Sequence, residues 1–165
     1  MDEVDRIVGA WRRERPDLDV APLEVLSRVT RLARHLDRAR SAAFARHHLE
    51  TWEFDVLAAL RRSGPPYRLS PGQLVAQTMV TSGTMTNRID RLAGRGLVRR
   101  LPDPADGRGV MVSLEDSGRR LADAALADLL QVEQDVLAVL HAGEHERLSG
   151  LLRDLLITLE LPASP

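Results

Sequence analysis

The chain has 165 residues, of which 44% are hydrophobic, so it is about one domain in length and has enough apolar side chains for an ordinary core. It contains no cysteine, which excludes disulfides, thiolate metal sites and cysteine redox switches. We find no apolar segment of signal-peptide length and no apolar run of about 18 residues, and therefore expect a soluble cytoplasmic protein.

Charge is unevenly distributed along the chain, although the net charge is only −1. All 23 basic residues are arginine. The net charge is +4 over residues 21–80, +3 over residues 81–113 and −6 over residues 114–165. Since the protein as a whole is not basic, a nucleic-acid surface is expected only in the middle of the chain.

Helical patterns dominate the first part of the chain. Residues 3–14 predict a short helix that ends before Pro16, because the residue before a proline is pushed out of the helical conformation. Apolar residues at helical spacing predict a long helix over about residues 22–47. Thr51 is predicted to cap a third helix, which the Ser, Gly and Pro residues at 63–66 end.

Two further helices and a hairpin are predicted next. Ser70 followed by Pro71 is typical of a helix start. The following helix is expected to begin at Thr81 or Ser82 and to end at Gly96. Two short strands, "LVRRL" and "GVMVSL", are predicted on either side of "PDPADGR". Together these features predict a helix-turn-helix followed by a wing.

The C-terminal part predicts two helices with wide apolar faces, one from about Asp116 and one over "EHERLSGLLRDLLITLEL". Such faces are larger than one small protomer can cover. We therefore expect a homodimer formed by the N- and C-terminal helices. The predicted fold class is mainly α with a small β-hairpin wing.

The helix from about residue 82 to residue 95 has two different sides. Met85, Ile89 and Leu92 recur at i, i+4 and i+7 and mark its buried side. The other side carries groups that can bond base edges or phosphates, which predicts double-stranded DNA as the partner. These residues are Ser82, Thr84, Thr86, Asn87 and Arg91. The alternative is an ordinary solvated helix surface, and the adjacent hairpin argues against it.

Arg108 is predicted at the tip of the hairpin, where a guanidinium can enter a narrow minor groove of DNA. Asp106, two residues earlier, can orient it. The alternative is an ordinary Asp/Arg pair that stabilises the turn.

Asp55 stands between Phe54 and Val56 on a mostly apolar helix. A carboxylate that is partly buried there is costly without a cation, so an arginine is expected to face it. A purely structural ion pair is the alternative. Trp11, on the N-terminal helix, is by itself interpreted as a core or interface anchor.

Catalysis and metal binding are not expected. The sequence has no glycine-rich phosphate loop, nucleophile elbow or Ser/His/Asp arrangement, so we predict neither an enzyme nor a cofactor. His47 and His48 are adjacent on a helix and point in different directions, which argues against a shared metal ion.

The segment "LVRRLPDPADGRGVMVSLEDSGRRL" resembles the wing and the following helix start of the MarR family of dimeric winged helix-turn-helix regulators. The resemblance extends over nearly all of residues 22–160. Gly107 stands where that family often has a basic residue, which puts one phosphate contact in doubt. The resemblance implies a repressor that binds a pseudo-palindromic DNA operator as a homodimer.

Within the family, "WRRERPDLDVAPLEVLSR" resembles the PecS-type, urate-responsive branch. That branch is recognised by four residues, matched here by Trp11, Asp55, Arg88 and Arg100. The resemblance implies that a small anionic ligand, with urate favoured, stacks near Trp11 and pairs with Arg88. The ligand would repel Asp55, disturb its link toward Arg100 and so release the DNA.

Two alternatives remain open from the sequence. In one, the ligand of the same repressor is trans-aconitate, another carboxylate or a phenolic compound, because arginines accept many small anions. In the more distant one, the chain is a helical protein-interaction module without DNA binding. In the favoured interpretation, residues 1–48 serve the ligand pocket and dimerisation, residues 49–115 form the DNA-binding lobe, and residues 116–165 form dimerisation helices of one continuous protomer.

Overall fold

The computed structural model describes residues 1–103 and 109–160. Within them the predicted helices and the two predicted strands of the hairpin are present. The elements, in chain order, are α1 (Glu3–Glu14), α2 (Ala21–Ala45), α3 (Thr51–Arg62), β1 (Arg68–Leu69), α4 (Pro71–Thr78), α5 (Ser82–Gly94), β2 (Val98–Pro102), β3 (Val110–Leu114), α6 (Asp116–Leu137) and α7 (Glu144–Glu160).

The chain divides into two compact units, Met1–Leu129 and Leu130–Pro165. In the first unit, α1 packs on α2, and α3, α4 and α5 pack on one another and on the sheet. The division of roles predicted for residues 1–48, 49–115 and 116–165 stays a prediction. In the described residues, none of the helices combines the length and the apolar character that crossing a membrane requires.

Side chains cap both helices of the helix-turn-helix, α4 and α5. Ser70 caps α4, and its Oγ accepts the Gln73 N–H at 3.2 Å. Thr81 caps α5, and its Oγ1 accepts the Thr84 N–H at 3.3 Å. Both caps agree with the starts predicted from the sequence, because short hydroxyl side chains satisfy the unpaired N–H groups of a first turn.

The predicted cap of α3 is wrong by one residue. Thr51 is the first residue of the helix and Glu50 is its cap. The Glu53 carboxylate folds back and accepts the Glu50 N–H at 2.9 Å. This reciprocal arrangement of a cap with the third helical residue is what places the start at Glu50.

The sheet has three strands in the order β1, β3, β2. β2 and β3 are antiparallel, with Val98 opposite Leu114 and Pro102 opposite Val110. Beyond their ends, the Asp103 N–H donates to the Gly109 carbonyl at 2.9 Å. The two-residue strand β1 pairs with β3 and was missed in the sequence, because two residues show no alternation.

The core of the first unit lies beneath α3, α4 and α5. Phe44 of α2 stacks on Phe54 of α3 with ring centroids 4.2 Å apart. Met85, Ile89 and Leu92 of α5 are at most 1% exposed, as their spacing predicted. Burial of each such side chain contributes roughly 1.5–3 kcal/mol, so the rotation of α5 about its own axis is fixed.

The second unit exposes an apolar helix face. None of the residues of α7 is buried, and more than a third of the surface of each of its large apolar side chains is accessible. They are Leu148, Leu151, Leu152, Leu155, Leu156, Ile157 and Leu159. Within the described residues of this unit, nothing covers that face.

Gly118 lies where α6 begins against the residue that precedes β2. A Cβ at this position would lie 2.2 Å from the Leu97 carbonyl oxygen and 3.0 Å from Cδ1 of Leu114. The backbone cannot move away easily, because the Glu115 N–H donates to the same Leu97 carbonyl at 3.0 Å. The close approach therefore requires glycine.

We expect Gly118→Ala to lower the free energy of unfolding by about 2 kcal/mol, since overpacking against a fixed backbone costs about 1–3 kcal/mol. Urea denaturation measures the change. Gly94→Ala is the matched control, because nothing lies within 4 Å of a Cβ at that helical position. Equal stability of the two variants would contradict the close approach at Gly118.

Candidate nucleic-acid interface and ligand site

The polar side of α5 is exposed, as the sequence predicted. Ser82, Thr84, Thr86 and Asn87 are all accessible to solvent. The Thr86 hydroxyl donates to the Ser82 carbonyl at 3.1 Å, and the Thr84 hydroxyl accepts from the hydroxyl of the capping Thr81 at 2.9 Å. Among the described residues, the Asn87 amide has no hydrogen-bond partner, so both its donor and its acceptor are available to a base edge.

The hairpin is attached to α5 by an ion pair. Arg100 of β2 donates from Nη2 to Oδ1 of Asp90 at 2.6 Å. Arg99, on the other face of the strand, pairs with Glu115 at 3.0 Å. The wing strand is thus joined to the helix that carries Asn87. Asp106 and Arg108, predicted at the hairpin tip, lie outside the described residues.

Asp55 lies among arginines, as its position in an apolar helix predicted. Its Oδ1 is 3.6 Å from Nη2 of Arg40 on α2. Partial burial raises the pKa of the Asp55 carboxyl above its ordinary value of 3.8, while Arg40, Arg88 and Arg62 act in the opposite direction. The direction of the net shift shows that the loss of hydration outweighs the attraction of the three cations.

Arg88 extends from α5 toward α3. Its Cζ lies 5.3 Å from the centre of the Trp52 ring. It also contributes to the electrostatic field at Asp55. The structure therefore brings together two of the four residues that the family resemblance singled out, Asp55 and Arg88.

The other two residues of that set are placed differently. Arg100 pairs with Asp90, whereas Asp55 is beside Arg40, so the expected link between Asp55 and Arg100 is replaced by two separate pairs. Trp11, on α1, is 48% exposed. In the described part of the chain, no hydrogen bond, ion pair or ring contact joins the side chain of Trp11 to the other three residues.

Arg91, predicted to face DNA, is engaged within the protein. Its Cζ lies 4.6 Å from the centre of the Trp52 ring, and its Nη2 donates to Oε1 of Glu50 at 2.6 Å. The Trp52 Nε1–H donates to the other oxygen of Glu50 at 2.7 Å. The hydrogen bond from Trp52, followed by that from Arg91, lowers the pKa of Glu50 below its ordinary value.

The sequence does not identify Arg40, Glu50 and Trp52 as parts of this site. It predicts that an arginine faces Asp55 but does not distinguish Arg40, which is 15 residues earlier on another helix. Trp52 lies two helices away from Arg88 and Arg91 along the chain. The aromatic and acidic residues in "ETWEFD" are the only local signal of a site that attracts cations, and they do not indicate which arginines contact it.

Known proteins place the chain in a family. Residues 49–109 match the model described as MarR family. The HTH-type transcriptional regulator PecS of Dickeya dadantii (strain 3937) is 41% identical over 150 residues, covering 91% of this chain and 90% of that protein. The chain belongs to the MarR family.

Two further similarities extend over most of this MarR-family chain. The HTH-type transcriptional repressor NicR of Pseudomonas putida is 34% identical over 143 residues, which cover 84% of this chain and 89% of that protein. The crystal structure of a mutant MarR from E. coli complexed with operator DNA matches with a TM-score of 0.69 and 26% identity. It covers 88% of this chain and 100% of that chain.

Membership of the MarR family confirms the predicted winged-helix fold class. It makes this chain a transcriptional regulator and not an enzyme, since its relatives are named as regulators. The roles of the individual DNA-facing and ligand-facing residues stay predictions.

We expect Asp55→Asn to leave the free energy of unfolding at pH 7 unchanged or raised. Because its pKa is raised on folding, the Asp55 carboxyl contributes stability that is fully present below its unfolded value of 3.8 and is lost as the pH rises through the folded value. At neutral pH the charged form is therefore a cost, which asparagine removes.

Thermal unfolding of the wild type and Asp55→Asn at pH 4 and pH 7 measures this difference. Asp37→Asn is the control, because Asp37 is exposed on α2 and has no ion-pair partner among the described residues. A large destabilisation of Asp55→Asn at pH 7 would show instead that the Arg40 contact outweighs the burial.

Proposed function

We propose that this MarR-family regulator is a homodimeric repressor that binds a pseudo-palindromic DNA operator and is released from it by a small anionic ligand, with urate favoured. The observation that carries the proposal is the adjacency of Asn87 and Arg88 on α5. One helix thereby holds an amide suited to base edges and a cation beside Asp55. A ligand that displaces the helix backbone at Arg88 also displaces Asn87.

The DNA-binding part of the proposal rests on the exposed side of α5. Short side chains at Ser82, Thr84 and Thr86 let the helix backbone come close to the duplex, and the free Asn87 amide suits a bidentate contact with adenine. A related regulator, MarR of E. coli, has been solved with operator DNA. In a dimer the two α5 helices would lie about one turn of the duplex apart.

The ligand part rests on the charges around Asp55. An anion entering between α3 and α5 is attracted by Arg88 and repelled by the Asp55 carboxylate. Asp55 pairs with Arg40, so a ligand that displaces Asp55 also disturbs a contact between α3 and α2. Trp11, whose helix packs on α2, supplies an accessible aromatic face for a flat ring.

Release follows only if the ligand prefers the conformation that does not bind DNA. Ligand and DNA then weaken each other by the same factor, typically about 5- to 150-fold. For this protein the two conformations differ in the position of α5, because α5 carries both the ligand-facing Arg88 and the DNA-facing Asn87.

Urate is favoured by the resemblance to the PecS-type branch and by the combination of an accessible tryptophan with an arginine. The resemblance implies that a flat anionic purine uses both, whereas trans-aconitate has no ring to stack on Trp11. Calorimetric titration with urate, trans-aconitate and a phenolic acid distinguishes these ligands. Binding of trans-aconitate without binding of urate would leave the proposed repressor function in place and identify trans-aconitate as its ligand.

A mobility-shift titration with the upstream intergenic DNA of the gene tests the repressor, with and without urate and at a stated salt concentration, since affinity depends steeply on salt. We expect a specific shift that urate reverses. A shift that urate leaves unchanged would remove urate from the proposal. The absence of any specific shift would favour the protein-interaction module.

We expect Asp55→Asn to lose most of the response to urate, because the neutral side chain no longer repels an anion beside Arg88. Asp37→Asn, which removes an exposed carboxylate on α2, should keep the response of the wild type. The concentration of urate that displaces half of the bound DNA is the measurement. An unchanged value in Asp55→Asn would contradict Asp55 as the sensor of ligand charge.

The homodimer is tested on the apolar face of α7. Leu156 is 53% exposed in the protomer, so Leu156→Glu should leave the protomer folded but place a charge in a dimer interface. We expect this variant to elute as a monomer in size-exclusion chromatography with light scattering. Met79→Glu, at a 93% exposed residue outside α7, is the control that should keep the mass of the wild type.

A further inference from the structure

Two acidic residues at the start of α3 face two basic residues at the end of α5. We call Glu50, Glu53, Arg91 and Arg95 the clamp. Arg91 Nη2 and Oε1 of Glu50 are 2.6 Å apart, and Arg95 Nη1 and Oε1 of Glu53 are also 2.6 Å apart. The clamp thus joins helices that are about 40 residues apart in the sequence through two short ion pairs.

The inner pair of the clamp is buried on its acidic side. Glu53 is 3% exposed, and its two oxygens accept from Arg95 and from the Glu50 N–H. Arg95 also donates from Nη2 to the His48 carbonyl at 3.0 Å. Every polar atom of the buried carboxylate is therefore used, which is the condition under which a buried charge holds a fixed geometry.

The outer pair contains an aromatic ring. Trp52 donates its N–H to Glu50, and its ring lies against the guanidinium of Arg91. Arg91 is thus held from one side by a carboxylate and from another by a ring face, two interactions that each contribute modestly at an exposed site. To contact a DNA phosphate, Arg91 would have to leave both partners.

The clamp acts at one end of α5 only. Arg91 lies in the last turn of that helix and Arg95 is its C-cap, so both cations sit where the helix dipole favours positive charge. Glu50 and Glu53 sit at the start of α3, where negative charge is favoured. The first turns of α5, with Ser82 and Asn87, lie outside the clamp.

We propose that Arg91 is a positioning residue and not a phosphate contact, and that the clamp sets the angle at which α5 presents Asn87 to the bases. This inference rests on the proposed function of α5 in DNA binding. It reverses the role that the exposed side of the helix suggested for Arg91. Glu50 becomes its partner in the same role, although Glu50 itself would repel DNA.

Arg91→Gln and Glu50→Gln test the proposal, because both replaced residues are more than half exposed and neither change should prevent folding. We expect each variant to bind the operator about five-fold more weakly at fixed salt and to keep the salt dependence of the wild type. A phosphate-binding role predicts a different result. Removal of one phosphate-neutralising cation makes the negative slope of log K against log salt shallower by about 0.9.

The two variants also separate the roles by the sign of the effect. If Arg91 contacted a phosphate, Glu50→Gln would free it and remove a repulsive charge, so DNA would bind more tightly. The clamp predicts that Glu50→Gln weakens binding and that the double variant is no weaker than either single one. Tighter binding by Glu50→Gln, or a reduced salt slope in Arg91→Gln, overturns the proposal.

Amide hydrogen exchange of residues 82–94 gives a readout that needs no DNA. We expect faster exchange there in Arg91→Gln and Glu50→Gln, because the C-terminal end of α5 is released. Arg13→Gln on α1 is the charge-matched control, since Arg13 is exposed and has no carboxylate partner among the described residues. Exchange equal to that of the wild type in both clamp variants overturns the proposal.

The exchange measurement also keeps this inference apart from the proposed function. If the wild type binds no specific DNA, the proposed repressor fails. Faster exchange of α5 in the clamp variants would then still establish Arg91 as a positioning residue of that helix.

Discussion

The burial of Met85, Ile89 and Leu92 fixes the rotation of α5, and the placement of every charged residue on that helix depends on it. With one side held in the core, Asp90 faces Arg100 of the wing strand, and Arg91 faces Glu50 at the start of α3. Apolar packing thus decides which ion pairs can form. The ion pairs in turn connect α5 to its neighbours at defined points, because each has a short, directional contact.

These connections differ at the two ends of α5. The C-terminal half is tied to α3 and to the hairpin, whereas the first turns carry hydroxyls and an amide that are exposed to solvent. Met85, in the first turns, is fully buried on the opposite side, so packing keeps these polar groups at a fixed orientation.

At Asp55 the cost of burial outweighs the attraction of nearby arginines, in contrast to the fully paired Glu53 of the clamp. Its partial burial raises the pKa, so the charged carboxylate costs stability even with Arg40 nearby. Glu53 is far more deeply buried, yet it is matched by an arginine and a backbone N–H at hydrogen-bonding distance. A carboxylate that is costly to keep charged is suited to respond to a ligand, and one that is fully paired is suited to hold a helix in place.

The sequence by itself determined the helices, the hairpin and the buried side of α5, because periodicity, caps and turn residues are local properties. The MarR family was indicated by the resemblance of quoted segments, and the similarity to known members confirmed it. The sequence also showed that Asp55 needs a cation. Only the tertiary structure decided that this cation is Arg40, that Arg100 pairs with Asp90, and that Arg91 contacts Glu50 and Trp52. Those choices depend on how helices distant in the chain pack together, since an arginine side chain has several acids within reach and only the folded geometry selects one.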